Sequence, residues 1–330
     1  MTNKTTFNDL GLSAKTLNAI HEKGFEEPTP IQIQTIPVML RDESNTIAQA
    51  QTGTGKTAAF GLPLIEMIQT ESRTVQALIL VPTRELALQV SEEINSLKGD
   101  KDIKILPVYG GQSIELQLSK LKKGVHIVVG TPGRIIDHLH RKTLRIEHIE
   151  HLILDEADEM LNMGFIEDIE QIMQYTNQDK RTLLFSATIP KKIKELAHKY
   201  MDGYELLTVK KECLTSNLTK QIYFEVRASE KLEALCRVID IEKDFYGLVF
   251  CRTKNDVDFL VTHLMDRGYD AEAIHGDISQ TQRERTLEKF KKKRINILVA
   301  TDVAARGIDV FNLSHVINYA LPNDPESYVH

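Results

Sequence analysis

The chain has 330 residues, 42% of them apolar and 27% charged, with a net charge of −6. That is a globular composition, and the length calls for two ordinary domains rather than one core. No apolar run is long enough to span a bilayer and the polar start from Met1 to Asn8 has no signal-peptide core, so a membrane or secreted protein is disfavoured and a cytoplasmic location is expected. The mild acidity does not advertise nucleic-acid binding, although it is compatible with a local basic groove.

In chain order, short apolar runs alternate with amphipathic segments. Residues 77–81, 125–129, 152–154 and 182–185 read as buried strands. Their apolar character is continuous rather than alternating, which predicts strands covered on both faces, as in a parallel α/β sheet. Each run ends in a polar or glycine-bearing loop: Pro82-Thr83-Arg84-Glu85, Gly130-Thr131-Pro132-Gly133-Arg134, Asp155 to Asp158, and Ser186-Ala187-Thr188. After a polar stretch at 210–220 the pattern returns, with strands predicted at 247–250, 271–274, 295–300 and 316–319. Their loops carry Arg252-Thr253, His275-Gly276-Asp277 and Thr301 through Asp309. Ligands bind at the carboxyl ends of such strands, and paired α/β lobes imply a cleft.

The segment Ala50-Gln51-Thr52-Gly53-Thr54-Gly55-Lys56-Thr57 has the form of a phosphate loop. Its glycines let backbone N–H groups turn toward phosphates, Lys56 supplies a point charge, and the Thr57 hydroxyl can reach Mg²⁺. Later, Asp155-Glu156-Ala157-Asp158 follows the apolar run Leu152-Ile153-Leu154. This places Asp155 to hold the metal through water and Glu156 to orient an attacking water. Together they predict a nucleoside triphosphate hydrolase. Cys213, Cys236 and Cys251 lack metal-ligand spacing and read as small buried hydrophobes of a reducing compartment. The basic run from Lys289 to Arg294 reads as the solvated end of a helix.

Further residues complete a resemblance to the DEAD-box RNA helicases of superfamily 2, from Phe7 almost to His330. Gly24-Phe25-Glu26-Glu27-Pro28-Thr29-Pro30-Ile31-Gln32 resembles the family's adenine-reading Q motif, with Phe7 upstream. Pro82 to Ala87, Gly110-Gly111, Thr131 to Arg134, Asp155 to Asp158, Ser186 to Thr188, Gln282 to Arg285 and Thr301 to Asp309 resemble the other motifs in family order. The short N-terminus is similar to that of bacterial members. The resemblance implies two RecA-like phosphate-loop domains: a Q-motif region at 1–34, an ATP-binding domain at 35–207, a linker at 208–218 and a second domain at 219–330.

It also implies roles. Phe7, Phe25 and Gln32 face adenine; Ala50 to Thr57 hold the phosphates; Gly307 and Asp309 meet the nucleotide from the second domain. Lys56, Asp155, Glu156, Ser186 and Thr188 carry catalysis, with Thr57 and Asp155 at the metal. The hydroxyls of Ser186 and Thr188 are placed to bond the Asp158 carboxylate. Thr83, Arg84, Gly111, Thr131 and Arg134, then Thr253, Gly276, Arg285 and Thr301, would grip an RNA backbone without reading bases. Without the resemblance Arg134 and Arg285 read as solvated surface charges; for Phe25 a core aromatic, and for Gln32 an exposed structural amide, is the alternative reading. The expected cofactors are ATP and Mg²⁺; the expected partners are single-stranded and short duplex RNA, with ribosomal or RNA-decay proteins as further candidates and no membrane.

Two departures stand out. Ala48 replaces a frequent glycine and should be harmless on a buried strand end. The chain stops at Tyr328-Val329-His330, where the family pattern continues into a helix bearing arginines. Such an arginine is worth roughly 10³ to 10⁵ in rate in other phosphoryl-transfer systems. A piece of a longer helicase, truncated in its second lobe and impaired in hydrolysis, is therefore expected. The alternatives are a non-catalytic ATP-gated RNA clamp and a DNA helicase or translocase.

Overall fold

The computed structural model describes residues 5–41, 44–51, 53–209, 219–305, 308, 310, 312–322 and 328. The chain divides into two compact units, Met1–Lys210 and Lys211–His330. Strands of the first unit are β1 (Thr46–Gln49), β2 (Ala77–Leu80), β3 (Ile105–Val108), β4 (Ile127–Gly130), β5 (His151–Leu154), β6 (Arg181–Ser186) and β7 (Glu205–Thr208). They form one parallel sheet in the order β3-β4-β2-β5-β6-β1-β7. The second unit carries β8 (Gly247–Cys251), β9 (Ala271–Ile274), β10 (Ile297–Thr301) and β11 (His315–Asn318), also parallel, in the order β11-β8-β10-β9.

The continuous apolar runs fold this way because each strand feeds two cores. In β2, Ala77 and Ile79 enter one apolar cluster while Leu78 and Leu80 enter another. Alternate residues of β4, β5 and β6 divide in the same manner, and in β10 Ile297 and Val299 part from Leu298 and Ala300. Side chains of a strand point alternately to opposite faces, so a sheet covered by helices on both sides needs apolar residues at every position.

Three strands had no such run. The edge strands β3 and β7 are partly exposed, and Pro107 is tolerated in β3 because an edge strand has one unpaired side. Strand β1 is paired on both sides but short, and it begins and ends in polar residues. Other boundaries shift toward the loops by a residue or two. Gly130, expected to open a loop, ends β4 in register with Leu80 and Val108. A Cβ there would sit 2.8 Å from the Val108 carbonyl and 2.5 Å from the Ile135 side chain, so glycine permits the close approach.

Cys236 and Cys251 are buried in the second unit, as expected of small hydrophobes; Cys213 lies outside the described residues. Ala48, 1% exposed, packs within β1. The run from Lys289 to Arg294 does end a helix, Gln280–Lys291. It is less solvated than its charge suggests: Phe290 is fully buried against Tyr246, and Lys289 pairs with Glu272.

Candidate functional site

Loops from the carboxyl ends of the adjacent strands β5, β6 and β1 build one half of the site. The phosphate-loop segment runs from β1 into the helix Lys56–Met67, with Gly53 and Gly55 at φ +72° and +83°. A side chain at Gly55 would be strained, and its Cβ would lie 2.5 Å from Gln32 Nε2. Thr54 Oγ1 donates to the Gln51 carbonyl at 2.7 Å, and Thr57 sits on the first turn of the helix. Thr52 lies outside the described residues.

Lys56 is 7% exposed, and its ammonium makes no hydrogen bond among the described residues. A buried ammonium without hydrogen bonds is costly, so the position favours an incoming anion. Its charge acts on Asp155 and Glu156. Burial raises the Asp155 carboxyl above its usual range, against the pull of Lys56. Burial first, then the Asp155 charge, pushes Glu156 up to about 7. Glu156 also has a left-handed backbone, φ +51°, which a non-glycine residue adopts only under constraint. A divalent cation fits this donor set, since it would restore the charge that burial disfavours on both carboxylates.

Asp158 is 2% exposed and anchors the loop after β6. Its Oδ2 accepts from both the Thr188 amide and the Thr188 hydroxyl at 2.8 Å. The expected Ser186 bond to this carboxylate is not made. Ser186, the last residue of β6, instead accepts from the Asp158 amide at 3.3 Å and donates to the Thr188 carbonyl at 2.6 Å. From the end of β6 the Ser186 hydroxyl reaches the start of the helix Ala157–Asn162 that follows β5, not the tip of its aspartate. Gln49, which the sequence did not single out, ties β1 to the same loop through a 3.2 Å bond to the Ala187 carbonyl.

Beside the phosphate loop, Gln32 is buried, not exposed, near the start of the helix Pro30–Arg41. Its Oε1 accepts from the Thr29 amide at 2.9 Å and its Nε2 donates to the Gly55 carbonyl at 3.1 Å. Both ends of the amide that was expected to face adenine therefore have partners inside the chain. Thr29 Oγ1 is buried without a hydrogen bond among the described residues and would touch a Cβ on Gly55 at 3.4 Å, a neighbour the sequence reading missed. Phe25 is half-buried and stacks on Phe7, ring centroids 6.5 Å apart. Phe7 itself is a core residue, 6% exposed, so it supports Phe25 from beneath and offers no open face.

The other half of the sheet end, over β3, β4 and β2, gathers the remaining first-unit residues. Thr83 caps the helix Arg84–Leu97, accepting from the Leu86 amide at 3.2 Å. Arg84 lies against Gly110, where a Cβ would come within 3.4 Å of the guanidinium. Gly111 is exposed at φ +87°, and Thr131 precedes the helix Pro132–His140 with no side-chain cap bond. Arg134 is no solvated surface charge. Its side chain is 13% exposed, and it donates to the Gln112 carbonyl at 3.1 Å and to Gln117 Oε1 at 3.2 Å.

In the second unit, Thr253 forms a capping box with Asp256 at the helix Lys254–Asp266. Gly276 follows β9, and Lys254 lies 3.5 Å from where its Cβ would stand. Thr301 ends β10 and accepts from the Ala304 amide at 3.3 Å, while Arg285 is exposed on the helix Gln280–Lys291. Gly307 and Asp309 lie outside the described residues.

A phosphate loop on an inner strand, an acidic strand end across one intervening strand of the sheet and two parallel-sheet units define a RecA-like phosphate-loop protein. Residues 29–196 match the DEAD/DEAH box helicase family, and 230–330 match the helicase conserved C-terminal domain. Over 324 residues the chain is 55% identical to a protein of Methanocaldococcus jannaschii named "Probable ATP-dependent RNA helicase", covering 98% of this chain and 86% of that one. It is 53% identical to the DEAD-box ATP-dependent RNA helicase CshA of Geobacillus kaustophilus, covering 99% and 70%. The solved structure of S. cerevisiae Dbp5 bound to RNA and ADP BeF3 matches with a TM-score of 0.88 at 29% identity, over 98% of this chain and 84% of that one. The chain belongs to the DEAD/DEAH box helicase family.

Proposed function

We propose that this chain is an ATP-dependent RNA helicase that grips the RNA backbone without base preference and couples ATP binding and hydrolysis to separation of short duplexes or remodelling of RNA–protein complexes. The observation that carries this reading is the buried Lys56 ammonium, which makes no hydrogen bond among the described residues and whose charge acts on two carboxylates of raised pKa, on the same sheet end as Arg84, Gly111 and Arg134. Relatives named as ATP-dependent RNA helicases support ATP and RNA as its ligands. We assign 35–207 as the ATP-binding domain, with 1–34 as its Q-motif region, 208–218 as linker and 219–330 as the second domain, in a cytoplasmic protein.

In this reading Lys56 binds the terminal phosphates, and the amides of the glycine loop surround them. Thr57 and Asp155 would hold Mg²⁺, which supplies charge neutralisation on the phosphates. Glu156 orients the attacking water. Asp158, Ser186 and Thr188 join the two loops that meet at this point, so a change at the phosphates is passed to the loop after β6. Thr83, Arg84, Gly111, Thr131 and Arg134, with Thr253, Gly276, Arg285 and Thr301 of the second unit, offer hydroxyls, amides and cations suited to phosphate and 2′-OH groups.

The test is phosphate release from ATP with no nucleic acid, with single-stranded RNA and with DNA of the same sequence. Stimulation by RNA and not by DNA is expected. Equal stimulation by DNA would turn the assignment to a DNA helicase or translocase. ATP-dependent RNA binding with background release would make it an ATP-gated clamp.

A further inference from the structure

The helix Ile114–Lys122 buries a glutamine, Gln117, to 1% exposure. Every hydrogen-bonding position of its amide is occupied. Nε2 donates to the Tyr109 carbonyl at 3.0 Å and to Gln112 Oε1 at 3.2 Å. Oε1 accepts from Arg134 Nη1 at 3.2 Å and meets His138 Nε2 at 2.9 Å. A flipped amide would set its NH₂ against the guanidinium and its oxygen against two acceptors, so the orientation follows from the partners. The same logic puts a proton on His138 Nε2, while Nδ1 meets the Thr143 hydroxyl at 2.9 Å. His138 is fully buried; desolvation first, and then the Arg134 charge, hold it below the usual imidazole range.

This one amide joins three places. Tyr109 is the exit of β3, Gln112 closes the Gly110-Gly111 turn, and Arg134 lies on the helix after β4. The Gln112 carbonyl also accepts from Arg134 Nη1, and Asp137 lies 3.6 Å from Arg134 Nε. Arg134 Nη2 makes no hydrogen bond among the described residues. The guanidinium is thus held at Nη1 and, by charge, at Nε. Fully satisfied buried networks of this kind rigidify what they touch.

We propose that Gln117 is a positioning residue for RNA binding: it locks Arg134 and the Gly110-Gly111-Gln112 turn into one register, so that both meet the RNA backbone together. This rests on the reading that Arg134 contacts RNA, and the experiment separates the two. RNA affinity of the full chain is measured with a labelled single-stranded oligoribonucleotide and a non-hydrolysable ATP analogue, for Gln117→Met, Arg134→Ala and the double variant. Affinity for the analogue without RNA and the melting temperature are measured alongside.

Gln117→Met should weaken RNA binding roughly tenfold, the scale of hydrogen bonds to a charged group, with analogue affinity unchanged. Because it acts through Arg134, the double variant should bind about as weakly as Arg134→Ala alone, the signature of coupled residues. Additive losses, or a lower melting temperature with unchanged RNA affinity, would overturn the proposal. Unchanged RNA affinity in Arg134→Ala would overturn the underlying reading and the proposal with it. Should Gln117→Met not fold, Gln112→Ala removes one partner from a half-buried loop. It should weaken RNA binding about threefold, below a full charged hydrogen bond, and no change would count against the positioning role.

Discussion

The two halves of the first sheet's loop end handle charge in opposite ways. Over β5, β6 and β1, Lys56 is buried with no hydrogen bond among the described residues, and the carboxyls of Asp155 and Glu156 are raised by burial. Over β3, β4 and β2, Arg134, Gln112, Gln117 and His138 satisfy one another almost completely. The first half holds buried charge at a cost in stability that a charged ligand would relieve; the second is largely hydrogen-bonded within itself. A hydrolytic centre needs groups whose state changes in the reaction, whereas a sequence-independent grip needs donors that stay where they are.

The largest test of that contrast is Lys56→Ala. It should abolish productive ATP binding and lower phosphate release by roughly 10³-fold or more, on the scale of other charge-stabilising groups in phosphoryl transfer. Its melting temperature should change little, since relief of the buried ammonium's desolvation offsets the loss of its attraction for Asp155 and Glu156. A marked loss of stability would show that Lys56 is structural. Glu156→Gln should cut hydrolysis by roughly 10²-fold or more, the range for a general base, while ATP-dependent RNA retention persists. Equal behaviour of the two variants in retention would merge the roles assigned to them.

At the opposite end of β5 a third buried group sharpens the comparison. Burial, then the Arg181 charge, depresses His151 to about 4 from an ordinary 6.5, and its Nδ1 makes no hydrogen bond among the described residues. The unfolded chain therefore binds the proton more readily than the folded one between those values. Stability is complete above pH 6.5 and falls as pH drops toward 4, by ~3 kcal/mol at most for a shift of that size. Urea unfolding across this window should be steeper in pH for the parent than for His151→Leu, with RNA affinity at pH 7 the same in both. The smallest effect is expected from Thr188→Val, which leaves Asp158 short of a hydroxyl donor and should destabilise by about 1.5 kcal/mol, measured by denaturant midpoint.

Much of this was legible from residues alone. Period-two burial in two cores follows from unbroken apolar runs such as Leu78 to Leu80, and the phosphate loop follows from glycines with Lys56. The edge strands β3 and β7 were not legible, because partial exposure and Pro107 blur the pattern. Gln117 was invisible too: a glutamine in an amphipathic helix reads as solvent-facing until its partners, set by distant loops, surround it.

The amino-acid sequence by itself determined the chemistry available: a cation on a glycine loop, carboxylates at a strand end, and hydroxyls and arginines at others. Tertiary structure alone decided which of them are spare. Strand order is set by packing between segments far apart in sequence, and it placed Lys56 where it makes no hydrogen bond among the described residues while giving Arg134 two acceptors. Local sequence carries a residue's charge, but burial and partners, which only the fold supplies, decide whether that charge is satisfied.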